Sequence, residues 1–179
     1  MEPYKFKQKA LDWLILILYT GIVYATLYHA RLVSTFLRQR LGSWYSPFVN
    51  IFILAMGTFF LIQMGQKRWT SYLFLVPIFG IYVYLFKQLP LPEERIHFLE
   101  YGVMGYLSLR ALAHTFPPPS LYLWAVGLTF LLGWIDEGIQ GLLPNRIYDI
   151  RDVFMNGLSG ILGILVYKIL LNPNTSPHT

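Results

Sequence analysis

Six apolar runs, about 11–30, 48–64, 71–86, 96–113, 120–136 and 153–171, alternate with short polar stretches along the chain. They come close to the roughly 17–25 residues with which an α-helix crosses a bilayer. The breaks fall where helix chemistry puts them. "RQRLGSWYSP", "GQKRW", "KQLPLPEER" and "TFPPPS" bring charge, glycine or proline, and consecutive prolines cannot continue a helix. The pattern predicts an all-α fold, a polytopic transmembrane bundle of about six membrane segments with no soluble domain. Residues 1–179 read as one domain without internal repeats, with a tail over 172–179 expected to be disordered. Pro77 and Gly80 in the short third run fit either a kinked span or a re-entrant segment.

Composition strengthens the membrane reading: 55% of residues are hydrophobic and only 13% charged, about half the roughly 25% of a soluble domain. The net charge of +5 is spread without a basic block, so no nucleic-acid partner is expected. The absence of cysteine excludes disulfides, thiolate metal sites and cysteine nucleophiles. The first run has the basic flank of a signal sequence but no small-residue cleavage site, and reads as a retained span. With six crossings, connections 31–47, 87–95 and 137–152 share one side of the membrane. Lysine and arginine divide seven to seven between the sides. Lys5, Lys7 and Lys9, before the first helix, favour a cytoplasmic amino end.

Two polar constellations fall on the 87–95 and 137–152 side. In "PEERIHFLEYGVMGY", Glu93, His97, Glu100, Tyr101 and Met104 follow one helical stripe. Glu100 would lie roughly 10 Å along the helix from Glu93. A carboxylate at that depth costs on the order of 2.5–3.5 kcal/mol unless it faces a polar interior, so it needs a partner. Glu93 and Glu94 also suit a helix's first turn simply by complementing its dipole. In "GWIDEGIQGLLPNRIYDIRD", Asp136 and Gln140 pair at i, i+4, with Glu137 beside them, before Pro144 breaks the helix. Arg146 lies in the turn, and Asp149, Asp152 and Asn156 recur at helical spacing. Gly160 and Gly163 continue the Asn156 face and allow close helix approach. A solvated turn accounts for Arg151, and helix capping accounts for Asp149. Neither accounts for Asp136, Gln140 and Asn156.

These residues carry a resemblance. "ERIHFLEY", "DEGIQGLLPNR" and "DVFMN" are similar to the pattern of the VanZ-like family, integral membrane proteins named for a teicoplanin-resistance accessory protein of glycopeptide-resistant enterococci. That pattern runs H-F-x-E-Y, D-E-x-x-Q, P-G-R and D-x-x-x-N. His97, Phe98, Glu100, Tyr101, Asp136, Glu137, Gln140, Pro144, Arg146, Asp152 and Asn156 stand in register with it, within a motif-bearing half of about 90–171. The chain departs from it at Glu94, where many members have lysine, at Ile139 for histidine, and at Asn145 and Ser159 for glycine. The resemblance implies a multi-pass protein of the bacterial cytoplasmic (inner) membrane and, for some members, reduced susceptibility to lipoglycopeptides. It does not supply a reaction.

Three functional readings follow. In the first, His97, Glu100, Tyr101, Asp136, Glu137, Gln140, Arg146, Asp152 and Asn156 form a polar pocket. It holds a membrane lipid headgroup, a lipid-linked envelope precursor or a lipoglycopeptide, with Arg146 gripping an acidic group. In the second, the chain is an intramembrane hydrolase or transferase using His97 and Glu137 as acid and base. No resident metal or cofactor is expected, although Asp136, Asp149 and Asp152 are an alternative set for a hard cation. In the third, the cluster only ties helices together, with Arg146 paired to Asp152 or Glu100. Small size disfavours transport, which a homodimer would reopen.

Overall fold

Hydropathy locates the helices, but backbone chemistry ends them. A computed structural model describes residues 3–63, 69–89, 91–144 and 146–171, so the tail expected to be disordered lies outside the described residues. The helices are α1 (Pro3–Leu41), α2 (Tyr45–Gln63), α3 (Trp69–Gln88), α4 (Pro92–Ala113), α5 (Ser120–Leu142) and α6 (Ile150–Leu171). Among the described residues there is no strand. Among the described residues, two stretches are long and apolar enough to cross a membrane by length and composition: Phe6–Phe59, which takes in most of α1 and of α2, and Ile150–Ile169.

The expected connection over 31–47 is corrected. α1 runs on through "RLVSTFLRQRL", which has neither glycine nor proline, and charge on a helix surface does not end a helix. It stops at Gly42, whose φ of +53° is left-handed and suits glycine, and a 3-10 turn, Gly42–Trp44, leads into α2. At 39 residues α1 is about 58 Å long. α3 is continuous with Pro77 inside it, a helix rather than a broken loop. α5 continues past the apolar run to Leu142, carrying Glu137 and Gln140 on its last turns.

α4 is the hub, packed against α1, α2, α5 and α6, while α3 rests on α6. α4 and α6 run parallel along a glycine seam: a methyl added at Gly105 would overlap the Gly160 backbone, and one at Gly163 the Gly102 backbone. Such small residues let helix backbones meet directly. Ser159, buried in the same seam, donates its Oγ hydrogen to the Phe98 carbonyl. The departure from glycine at 159 thus supplies an interhelical hydrogen bond. Against α5, Gly157 lies under the Phe130 ring and Gly160 under Thr129, which brings the end of α5 onto the start of α6.

Candidate functional site

The start of α4, the end of α5 and the turn into α6 meet at one end of the bundle. From His97 to Met104 the α4 stripe lies within the described residues. Tyr101 and Met104 are fully buried, while His97 and Glu100 are partly exposed, with Nδ1 and Oε2 3.2 Å apart. That is ion-pairing distance, but Nδ1 lies outside hydrogen-bond geometry. The Glu100 backbone is held separately, its carbonyl accepting from Tyr19 OH of α1 at 3.0 Å. Tyr24 and Tyr101 converge on the Leu132 carbonyl, at 2.7 and 3.4 Å, one turn before Asp136. Three helices are thereby fixed around that carboxylate. The Glu93 side chain lies outside the described residues. Glu94 receives the Leu91 amide at a long 3.5 Å, a first-turn cap.

On α5, Asp136, Glu137 and Gln140 are all buried, at 0%, 2% and 4% exposure. Gln140 Nε2 lies 3.2 Å from Asp136 Oδ2 and 2.9 Å from Glu137 Oε1, so one amide ties both carboxylates. Glu137 Oε2 accepts the Asp149 backbone amide at 3.3 Å, pinning the turn under α5. Gly141 allows this approach, since a methyl there would press on Tyr148. Asn156, buried on α6, packs against Gly133.

The structure therefore brings both sequence constellations together. His97 lies within electrostatic reach of Asp136, Glu137, Asp152 and Arg146. Their hydrogen-bonding capacity is only partly used. Among the described residues, Asp136 Oδ1, Arg146 Nε and Asn156 Nδ2 are buried without a hydrogen-bond partner. Arg146 pairs with neither Asp152 nor Glu100, and no hydrogen bond joins His97 to Glu137 among the described residues. Asp149 and Arg151 stand apart, bound to each other at the surface. The Arg151 side-chain contact and its backbone amide hold the Asp149 carboxyl below the usual carboxylate range. The alternative cation set is not assembled. Asp136 turns to Gln140 and Asp149 to Arg151, and among the described residues no three His, Asp or Glu side chains gather to hold a metal.

Sequence reasoning missed a second buried cluster, at the opposite end of α4. Asp12 of α1 is 5% exposed and takes Arg110 Nη2 on Oδ1 and His114 Nε2 at 2.8 Å on Oδ2, with Gln8 Nε2 at 3.3 Å. A lone carboxylate inside the first apolar run was the signal, because such a group demands a partner. Arg110 and His114 stand one turn apart near the end of α4, on the matching side of the topology.

Fold and site together define an all-helical bundle with a partly satisfied polar cluster buried at one end. The chain belongs to the VanZ/LLP1 family, whose pattern matches residues 13–171, from within α1 to the end of α6. No curated protein and no solved structure matches it.

Proposed function

We propose that this VanZ-like protein crosses the bacterial cytoplasmic membrane with six helices. Its α4–α5–α6 cluster binds a polar headgroup and so modulates envelope properties or teicoplanin susceptibility. Membrane placement is supported by family membership, by the two long apolar stretches, and by an outer surface bearing residues such as Ile22, Ile51, Val76 and Leu123, each more than 60% exposed. An apolar exterior of this kind is unsuited to water.

The observation that carries the binding reading is the set of unused atoms, Asp136 Oδ1, Arg146 Nε and Asn156 Nδ2. Each buried polar atom left unpaired costs about 1–3 kcal/mol, so a cluster serving helix packing alone would be expected to use them. The chemistry asks for a ligand with hydrogen-bond donors toward Asp136 and an acidic group toward Arg146. Lipid headgroups, cell-wall precursors and lipoglycopeptides carry both. Binding is favoured over catalysis because His97 and Glu137 are not hydrogen-bonded to one another and no third residue orients them as a pair.

The test is teicoplanin susceptibility in cells producing Glu137→Gln, Arg146→Lys or Asp152→Asn, each confirmed as folded and membrane-extracted. Arg146→Lys is expected to lose protection because an ammonium cannot reproduce a planar, two-pronged grip. Wild-type protection in all three variants would refute the site.

A further inference from the structure

α2 packs on α4 and α3 on α6, leaving between α2 and α3 a groove of about 560 Å³ floored by α4 and α6. Its shaft is apolar, with Ile53, Phe79, Val83 and Leu99 among its walls and Gly102 and Gly163 in its floor. Asn50, Lys87 and Arg95 line the end nearest the start of α4. This is a different face of α4 from the polar cluster: Arg95, Leu99 and Val103 look into the groove, whereas His97, Tyr101 and Met104 look away from it.

Among the described residues, neither Arg95 nor Lys87 forms an ion pair. Arg95 is held by neutral acceptors, with Nη1 to Asn50 Oδ1 at 2.8 Å and to Ser46 Oγ at 3.3 Å, and Nη2 to the Leu89 carbonyl at 3.1 Å. Its Nε is buried and makes no hydrogen bond among the described residues. Lys87 is exposed and makes no ion pair among the described residues. A half-buried guanidinium with a free N–H and a neighbouring ammonium suit a phosphate, and an apolar shaft running from them suits a hydrocarbon chain. Lipid tails alone are no more apolar than leucine, so the shaft cannot choose among bilayer lipids; the charged end can.

We propose that the α2–α3 groove is a binding site for an anionic phospholipid, one acyl chain lying in the shaft and the phosphate between Lys87 and Arg95. The inference rests on the membrane placement proposed above. Full-length protein extracted from membranes, titrated with phosphatidylglycerol or phosphatidylcholine and weighed by native mass spectrometry, tests it. Wild type is expected to retain phosphatidylglycerol preferentially. Lys87→Gln should lower that retention about fivefold, the worth of one cation at an anionic lipid surface. Gly57→Leu tests the chain: a Cβ at Gly57 meets nothing within 4 Å, so the new side chain fills the groove without displacing a helix. It should reduce lipid retention and leave the melting temperature unchanged. Equal retention of the two lipids by wild type, or unchanged retention in both variants, would overturn the groove. Recovery of the native chain as soluble protein would instead overturn the membrane placement on which it rests.

Discussion

At the carboxyl end of α4, Arg110 and His114 close on Asp12, and each oxygen of that carboxylate has a partner carrying an N–H. At its amino end, Asp136, Glu137 and Gln140 are buried at least as deeply, yet among the described residues Asp136 Oδ1 makes no hydrogen bond and Arg146 forms no ion pair. Both ends bury charge inside a helical bundle. A pair that exists to hold helices together completes its own hydrogen bonds, because an incomplete one forfeits stability. A cluster kept incomplete gives up some stability for access to something else. On the function proposed above, the contrast separates an architectural end from a recognition end.

The largest expected effect is at the architectural end. Asp12→Asn keeps the shape but removes the charge facing Arg110 and His114, leaving a partly buried guanidinium unpaired. We expect a loss of about 3 kcal/mol, the lower part of the range for breaking a buried pair, because Arg110 retains some access to solvent. Thermal unfolding of the detergent-purified variant measures it. A melting temperature equal to wild type would remove the distinction between the two ends.

Asp136→Asn should invert that outcome. It removes a buried charge while leaving a side chain that can still accept from Gln140, so stability should change by less than about 1 kcal/mol and can rise, as at other functional sites relieved of their polarity. Protection against teicoplanin should nevertheless fall to that of cells lacking the protein. A destabilisation as large as that of Asp12→Asn would make both ends architectural.

How much of this was legible in sequence follows from the range over which each interaction acts. The α4 stripe and the Asp136–Gln140 pair were readable because i, i+3 and i+4 spacing is local and geometric. The juxtaposition of "ERIHFLEY" with "DEGIQGLLPNR" followed from counting crossings, which puts both on one side. The end of α1 was not readable from polarity: Arg31, Arg38 and Arg40 looked like the edge of a span, whereas the helix ends only where Gly42 takes a positive φ. Asp12 was passed over because its partners lie 98 and 102 residues away, and pairing at that distance depends on tertiary packing. The unused atoms of Asp136, Arg146 and Asn156 were beyond any sequence reading, since a hydrogen bond not made has no signature in spacing.

The smallest effect is expected between the proposed recognition cluster and solvent, at the Asp149–Arg151 pair. Arg151 is 85% exposed, and its Nε lies 3.1 Å from Asp149 Oδ1 and 3.0 Å from Oδ2, with Nη2 also on Oδ2, while its backbone amide bonds Oδ1 at 2.9 Å. The hydrogen bond from Asp149 to the cluster comes from its backbone N–H, which any residue but proline supplies. Exposed ion pairs contribute little to stability and are screened by salt. Arg151→Ala should leave protection and the melting temperature at neutral pH unchanged. What should shift is the acid limb. The folded-state pKa of Asp149 is lowered, so its small contribution is present at neutral pH and is lost as pH falls through that lowered value. Without Arg151, a carboxylate signal followed by NMR during acid titration should move back toward the ordinary aspartate range. Loss of teicoplanin protection in Arg151→Ala would extend the recognition cluster outward to the surface pair, and the boundary drawn at Asp149 would be wrong.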